Sequence, residues 1–269
     1  MVKVLSGLVI LLLISIAAAR LVQLQEASQP SLDGLLVSAT ISPTPESKNT
    51  PITTRPLSRA PTPSSSVTTT IPYKSKVLIS GVPFTVQAPT GDWKDARFQE
   101  GCEEASSLMA VYWAKNLSLN RDKALAEIIA MAAYQQEKWG EARDTSTHDT
   151  ALRIISGYFN FGSYEIKEDM SLNDMKNELL NGHLLIIPAN GRALKNPHFT
   201  APGPDRHMIV VRGYDDNTGT FITNDPGIRE GELYTYPQQL FYDAIRDYPS
   251  GFNLPIEGDK KIMIVIKKS

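Results

Sequence analysis

The distribution of apolar positions divides the chain into three stretches. Residues Val4 to Ala19 (VLSGLVILLLISIAAA) are almost wholly apolar, preceded by Lys3 and closed by Arg20. As a helix such a run spans roughly 24 Å, a little short of the ~30 Å hydrocarbon core of a bilayer. Residues 1–27 are therefore expected to be either a secretory signal peptide, with Ala17 to Ala19 as a small-residue cleavage site, or an uncleaved N-terminal membrane anchor. Between residues 28 and 74, Ser, Thr and Pro dominate and no apolar periodicity is present. Such a segment cannot bury enough surface to offset its ordering entropy, so a disordered linker is expected there.

Residues 75–269 carry the periodicity of one folded domain. An early strand is expected over KVLISGVPFTVQ, followed by helices in which Ala105, Leu108, Met109 and Tyr112, then Leu125, Ile128, Ile129 and Ala132, recur at helical spacing. A third helix is expected from Ser146 or Thr147 to Gly157. A fourth, SLNDMKNELLNG, has Ser171 as its cap, Asp174 three residues on and Gly182 at its exit. Beyond Gly182 the pattern changes to short aliphatic runs, LLIIPA, HMIVVRGY, GTFITND and KIMIVIK, separated by turn chemistry such as DDNTG. One more helix, PQQLFYDAIRDY, interrupts them, with Pro237 near its first position. Helices first and antiparallel strands afterwards make an α+β domain.

Charge and composition narrow the function. Twenty-seven basic against 29 acidic residues give a net charge of -2, without the basic excess typical of a phosphate-binding surface, so nucleic acid is not an expected partner. A single cysteine, Cys102, excludes an intrachain disulfide and every multi-cysteine metal site. No G-x-x-x-x-G-K-[ST] loop is present.

Cys102 stands where an irregular stretch, APTGDWKDARFQEG, gives way to the helix EEASSLMAVYWA. At a helix N-terminus, unpaired N–H groups and the macrodipole favour a thiolate. A free cysteine is also commonly a small buried hydrophobe, and Glu103 and Glu104 beside it oppose ionisation unless they point outward or cap the helix. A thiolate nucleophile needs a base held by a third group. Of His148, His183, His198 and His207, the last has the best context, because it opens the strand HMIVVRGY. A hairpin from this strand into GTFITNDPG brings Asp225 near it, with Asn224 as a neighbouring alternative. Asp225 before Pro226 and Gly227 also suits a plain turn. His198 and His207 have no recognised zinc spacing, and no metal or other cofactor is expected.

The stretches VPFTVQ, EGCEEASSLMAVYW, GHLLIIPA, HMIVVRGYDD and TNDPG together resemble the papain-fold cysteine peptidases of the double-glycine, bacteriocin-processing type, in particular their stand-alone extracytoplasmic relatives. The resemblance covers about residues 80 to 267. It implies a papain-like α+β fold with N-terminal helices packed on an antiparallel sheet, and a triad of Cys102, His207 and Asp225. It also implies an oxyanion donor at Gln87; because about fifteen residues separate Gln87 from Cys102, where transporter-linked members have about six, Gln99 is the alternative. The activity implied is hydrolysis of a peptide or cell-wall amide bond through a thioester, by a monomer outside the cytoplasmic membrane, secreted or held by the N-terminal segment. Two alternatives remain open: a papain-fold binding module without turnover, and a wall amidase or transpeptidase with the same triad.

Overall fold

The computed structural model describes residues 74–268. The apolar N-terminal segment and the linker up to residue 73 lie outside the described residues. Among the described residues no helix is long and apolar enough to cross a membrane.

The elements are β1 (Lys76–Leu78), α1 (Ala96–Gln99), α2 (Cys102–Ala114), α3 (Arg121–Trp139), α4 (Thr147–Asp149) continuing into a π-type helix (Thr150–Tyr158), β2 (Tyr164–Glu168), α5 (Leu172–Leu180), β3 (Leu184–Ala189), β4 (His207–Asp215), β5 (Thr220–Asn224), β6 (Glu232–Pro237), α6 (Gln238–Ala244) and β7 (Ile262–Ile266). The strands form one antiparallel sheet in the order β2-β7-β3-β4-β5-β6. β1 pairs with β4 at Tyr214 and Gly213, beyond the point where β3, whose register runs to Val211, has ended.

Helices cover both sheet faces, and the strand sequences show why. Alternate residues of a strand point to opposite faces. Leu184 and Ile186 of β3, Met208 and Val210 of β4, and Ile264 and Ile266 of β7 pack with Met109, Ala110 and Trp113 of α2. Leu185 and Ile187, Ile209 and Val211, and Met263 and Val265 pack with Met175 and Leu179 of α5 and Phe241 of α6. Strands buried on both sides have to read as unbroken apolar runs, as these do. α2 is the central helix: every residue from Cys102 to Ala114 is buried, because its other side meets Ile128 and Met131 of α3 and Ile154 of the π-type helix.

The helix ends follow the local chemistry. Ser146 caps α4, and Ser171 and Asp174 form a reciprocal capping box at α5. The early strand is shorter than expected, with only Lys76–Leu78 paired; Gly81, at φ 71°, and Pro83, without a donor, end the ladder. The chain from Ile79 to Gln87 nevertheless follows the sheet, anchored by Ile79 N–H to Arg212 O (2.8 Å) and Gln87 N–H to Pro226 O (2.9 Å). The last helix stops at Ala244, because Ile245 turns extended and bridges to Ala189.

Candidate active site

The N-terminal part of α2 is tied to the start of β4 by Ser106, whose hydroxyl donates to Met208 O at 2.9 Å. Cys102 and His207 consequently line the same cleft, of about 1100 Å³. One wall is the segment after the first strand, with Gln87, Pro89 and Trp93; the other is the β3–β4 loop, with His198, Phe199 and Pro204.

The β4–β5 pairing sets Val210 opposite Asn224, which carries the residue after β5 toward the start of β4. His207 Nε2 and Asp225 Oδ1 are 2.7 Å apart, at 2% and 0% exposure. Asp225 is held on every side: Oδ1 also accepts from Gly227 N–H (2.9 Å) and Oδ2 from the Tyr236 hydroxyl (2.5 Å). Asn196 Nδ2 in turn donates to that hydroxyl at 2.6 Å. Burial pushes the Asp225 carboxyl up, but His207, Tyr236 and Gly227 outweigh it and hold the group below the usual carboxylate range. An ionised Asp225 fixes the proton on Nε2 and leaves Nδ1 as the ring's free acceptor. Phe199 stands edge-on to the imidazole at 5.3 Å. A Cβ at Gly227 would lie 2.8 Å from His207 Cε1, so the turn after Asp225 closes on the ring only as glycine.

Asn224 is not part of this set. Its side chain donates to Pro83 O (3.1 Å) and accepts from Arg212 Nη1 (3.2 Å), which binds the early extended segment to the sheet. Gln87 is buried beside the cleft, and its Nε2 donates to both Phe98 O and Gln99 O at 2.9 Å. Two carbonyls fix that amide's orientation, and both its protons serve to pin α1. Gln99 is exposed on the same cleft. The other histidines pair elsewhere, His148 with Glu168 (2.6 Å) and His183 with Glu178 (2.7 Å), while His198 approaches Glu230 at 3.9 Å. Among the described residues no group of three or more His, Cys, Asp or Glu side chains could hold a metal ion.

The thiol's surroundings differ from the sequence expectation. Cys102 opens α2, but its Sγ donates to Glu103 Oε2 at 3.1 Å and makes no hydrogen bond to His207 among the described residues. Glu103 and Glu104 point inward, at 1% and 2% exposure. Burial pushes the Cys102 thiol well above its ordinary range, and the charges of Glu103, Asp144 and Glu104 push the same way. Glu103 Oε1 accepts from the Tyr248 hydroxyl (2.7 Å) and from Thr145 N–H (3.3 Å). The sequence offered a signal for the glutamates, their adjacency to the cysteine, but none for Tyr236, Tyr248 or Phe199.

No curated protein matches the chain. A solved structure from Bacillus anthracis, assigned as a C39-like peptidase, is similar at 17% identity, covering 72% of this chain and 98% of its own, with a TM-score of 0.41. The model of the Peptidase_C39 like family matches residues 79–249. That stretch holds α2, β4 and the turn at Asp225 within one match over more than half of the sequence, and the chain belongs to the Peptidase_C39 like family.

Proposed function

We propose that the protein is a cysteine peptidase that cleaves peptide bonds through a thioester on Cys102, outside the cytoplasmic membrane. The observation that carries this is an imidazole fixed by a buried carboxylate at 2.7 Å on the cleft that also holds the only cysteine. As the substrate carbonyl approaches, Cys102 Sγ gives its proton to His207 Nδ1 and forms the S–C bond. The imidazolium then protonates the leaving amine, the C–N bond breaks, and an acyl-enzyme remains. His207 next takes a proton from water, whose oxygen displaces the thiol. Asp225 holds the tautomer and stabilises the imidazolium. The extracytoplasmic placement rests on the apolar stretch Val4 to Ala19; a peptide or a wall amide suits the same chemistry, and an amine in place of water would make the reaction a transpeptidation.

Mass spectrometry of the protein mixed with peptide thioesters tests this. A transient adduct of the acyl mass on Cys102 is expected. A domain that binds such peptides and never carries the adduct is a binding module, a reading favoured by the hydrogen bond that turns the thiol to Glu103.

The oxyanion is assigned to the Cys102 N–H, which has no hydrogen-bond acceptor among the described residues, and to a side-chain amide. Because Phe98 O and Gln99 O occupy both Nε2 protons of Gln87, Gln99 is the donor the cleft leaves available. Gln99→Ala is expected to lower kcat by roughly 10²- to 10³-fold, the effect of deleting one such donor, while Gln87→Ala acts mainly on thermal stability by releasing α1. The reverse ranking in steady-state kinetics returns the role to Gln87.

A further inference from the structure

Glu103 is a buried acid that the peptidase mechanism does not use. It sits one residue after the nucleophile, is 1% exposed, and is gripped from three separate parts of the chain. Oε2 accepts from the Cys102 thiol at 3.1 Å; Oε1 accepts from Tyr248, beyond α6, at 2.7 Å and from Thr145 N–H, before α4, at 3.3 Å. A carboxylate kept merely as a helix-start anion would face solvent, where the first-turn N–H groups and water both reach it. This one is turned into the core with one oxygen on the thiol. The charged and titratable groups around it are Cys102 and Glu104 on α2, Asp144 on the α3–α4 loop and Tyr248; Asp144 itself meets Arg206 Nε at 3.5 Å. The nearest charges are thus negative, and the countercharge lies one residue further off.

We propose that Glu103 is a positioning residue that keeps the Cys102 thiol protonated and turned from His207 at rest, so that the nucleophile is released only when the Glu103 hydrogen bond is broken or its charge is removed. This rests on the reading of Cys102 as the nucleophile and adds a regulatory element to it. With Glu103 ionised, a thiolate 3.1 Å from a carboxylate oxygen is opposed by like charge in a water-poor site. With Glu103 protonated the opposition ends, and the acid can donate to the thiolate. Cys102 and Glu103 therefore titrate as a pair, and the resting thiol of a protein outside the cell is protected from oxidation, which proceeds through the thiolate.

The test is the pH profile of Cys102 alkylation by iodoacetamide, read by intact mass on the folded protein. In Glu103→Gln the alkylation midpoint is expected to fall by at least about one pH unit, so that at pH 7.5 the thiol reacts roughly tenfold faster or more. A folded variant with an unchanged midpoint overturns the proposal. Should Glu103→Gln fail to fold, Tyr248→Phe replaces it. Without the hydroxyl on Oε1, Glu103 holds its proton to higher pH, so alkylation between pH 7 and 8 is expected to quicken severalfold and rejoin the wild-type curve at alkaline pH; superimposable curves overturn the proposal. Alkylation needs no turnover. A protein that hydrolyses nothing yet shows the Glu103→Gln shift overturns only the peptidase assignment, and hydrolysis without the shift overturns only the role of Glu103.

Discussion

Hydrolysis by a Cys102→Ala variant is expected to fall by about 10⁴-fold or more, and His207→Ala to fall nearly as far. The double variant is expected to be no worse than the poorer single one. Residues that act as one unit in bond making are strongly non-additive, because a base without its nucleophile and a nucleophile without its base are both idle. Alanine at position 102 leaves the His207–Asp225 pair at 2.7 Å intact, and alanine at 207 leaves the start of α2 intact, so each variant is expected to fold. Steady-state kcat/KM on a peptide that the wild-type protein cleaves, with thermal midpoints as the control for folding, checks all three. A single variant that keeps a tenth of the activity removes that residue from the chemistry. Additive losses would mean that Cys102 and His207 contribute separately, for instance one to binding and one to stability.

What could be read in the sequence depended on where a residue sits relative to the sheet. LLIIPA, HMIVVRGY and KIMIVIK were legible because β3, β4 and β7 are interior strands with both faces covered, and such strands can only be apolar runs. The two strands without a sequence signal, β2 (YEIKE) and β6 (ELYTYP), are those at the ends of the strand order. Charged residues suit exposed sheet edges and break the apolar signature there. Caps were legible for a different reason. Ser146, Ser171 and Asp174 act within three residues of themselves, so the whole interaction lies inside the sequence window that reveals it.

The same distinction runs through the site. The order Cys102, His207, Asp225 was open to reading because each stands at the end of an element that has its own periodicity. The sequence favoured Asp225 and left Asn224 as its neighbouring alternative; the hairpin register separates them, with Asn224 facing Arg212 and Asp225 facing His207. The direction of Glu103 was out of reach. Its partners Thr145 and Tyr248 lie 42 and 145 positions away, and no local pattern tells a carboxylate beside a cysteine whether it faces water or the core.

That inward direction has a consequence for stability: the domain is expected to weaken as pH rises from about 5 to about 8. Glu103 has its pKa raised from an ordinary 4.5 to about 7, first by burial and then by the charge of Asp144, with Tyr248, Cys102 and a backbone N–H opposing. The fold thus favours the protonated acid more than the unfolded chain does. Its contribution is fully present below about pH 4.5 and is lost as pH rises toward and through about 7, after which it stays lost. The loss is expected to show as a fall in melting temperature across that interval. Glu104, raised by burial and by Glu103, acts in the same direction. Asp225 acts in the opposite one: its depressed value gives stability above the ordinary carboxylate range that is lost as pH falls through the lower folded value. Asp225 therefore governs the acid side, and Glu103 and Glu104 the decline toward neutral and alkaline pH. Glu103→Gln keeps an oxygen for Tyr248 and removes the charge, so its melting temperature is expected to exceed that of the wild type at pH 8, to approach it at pH 4.5, and to fall less between the two. Scanning calorimetry at those two values decides the matter. A wild-type domain as stable at pH 8 as at pH 5, or a Glu103→Gln variant with the full wild-type decline, would mean that Glu103 is charged without penalty in the fold, which is incompatible with a carboxylate 1% exposed and surrounded by acids.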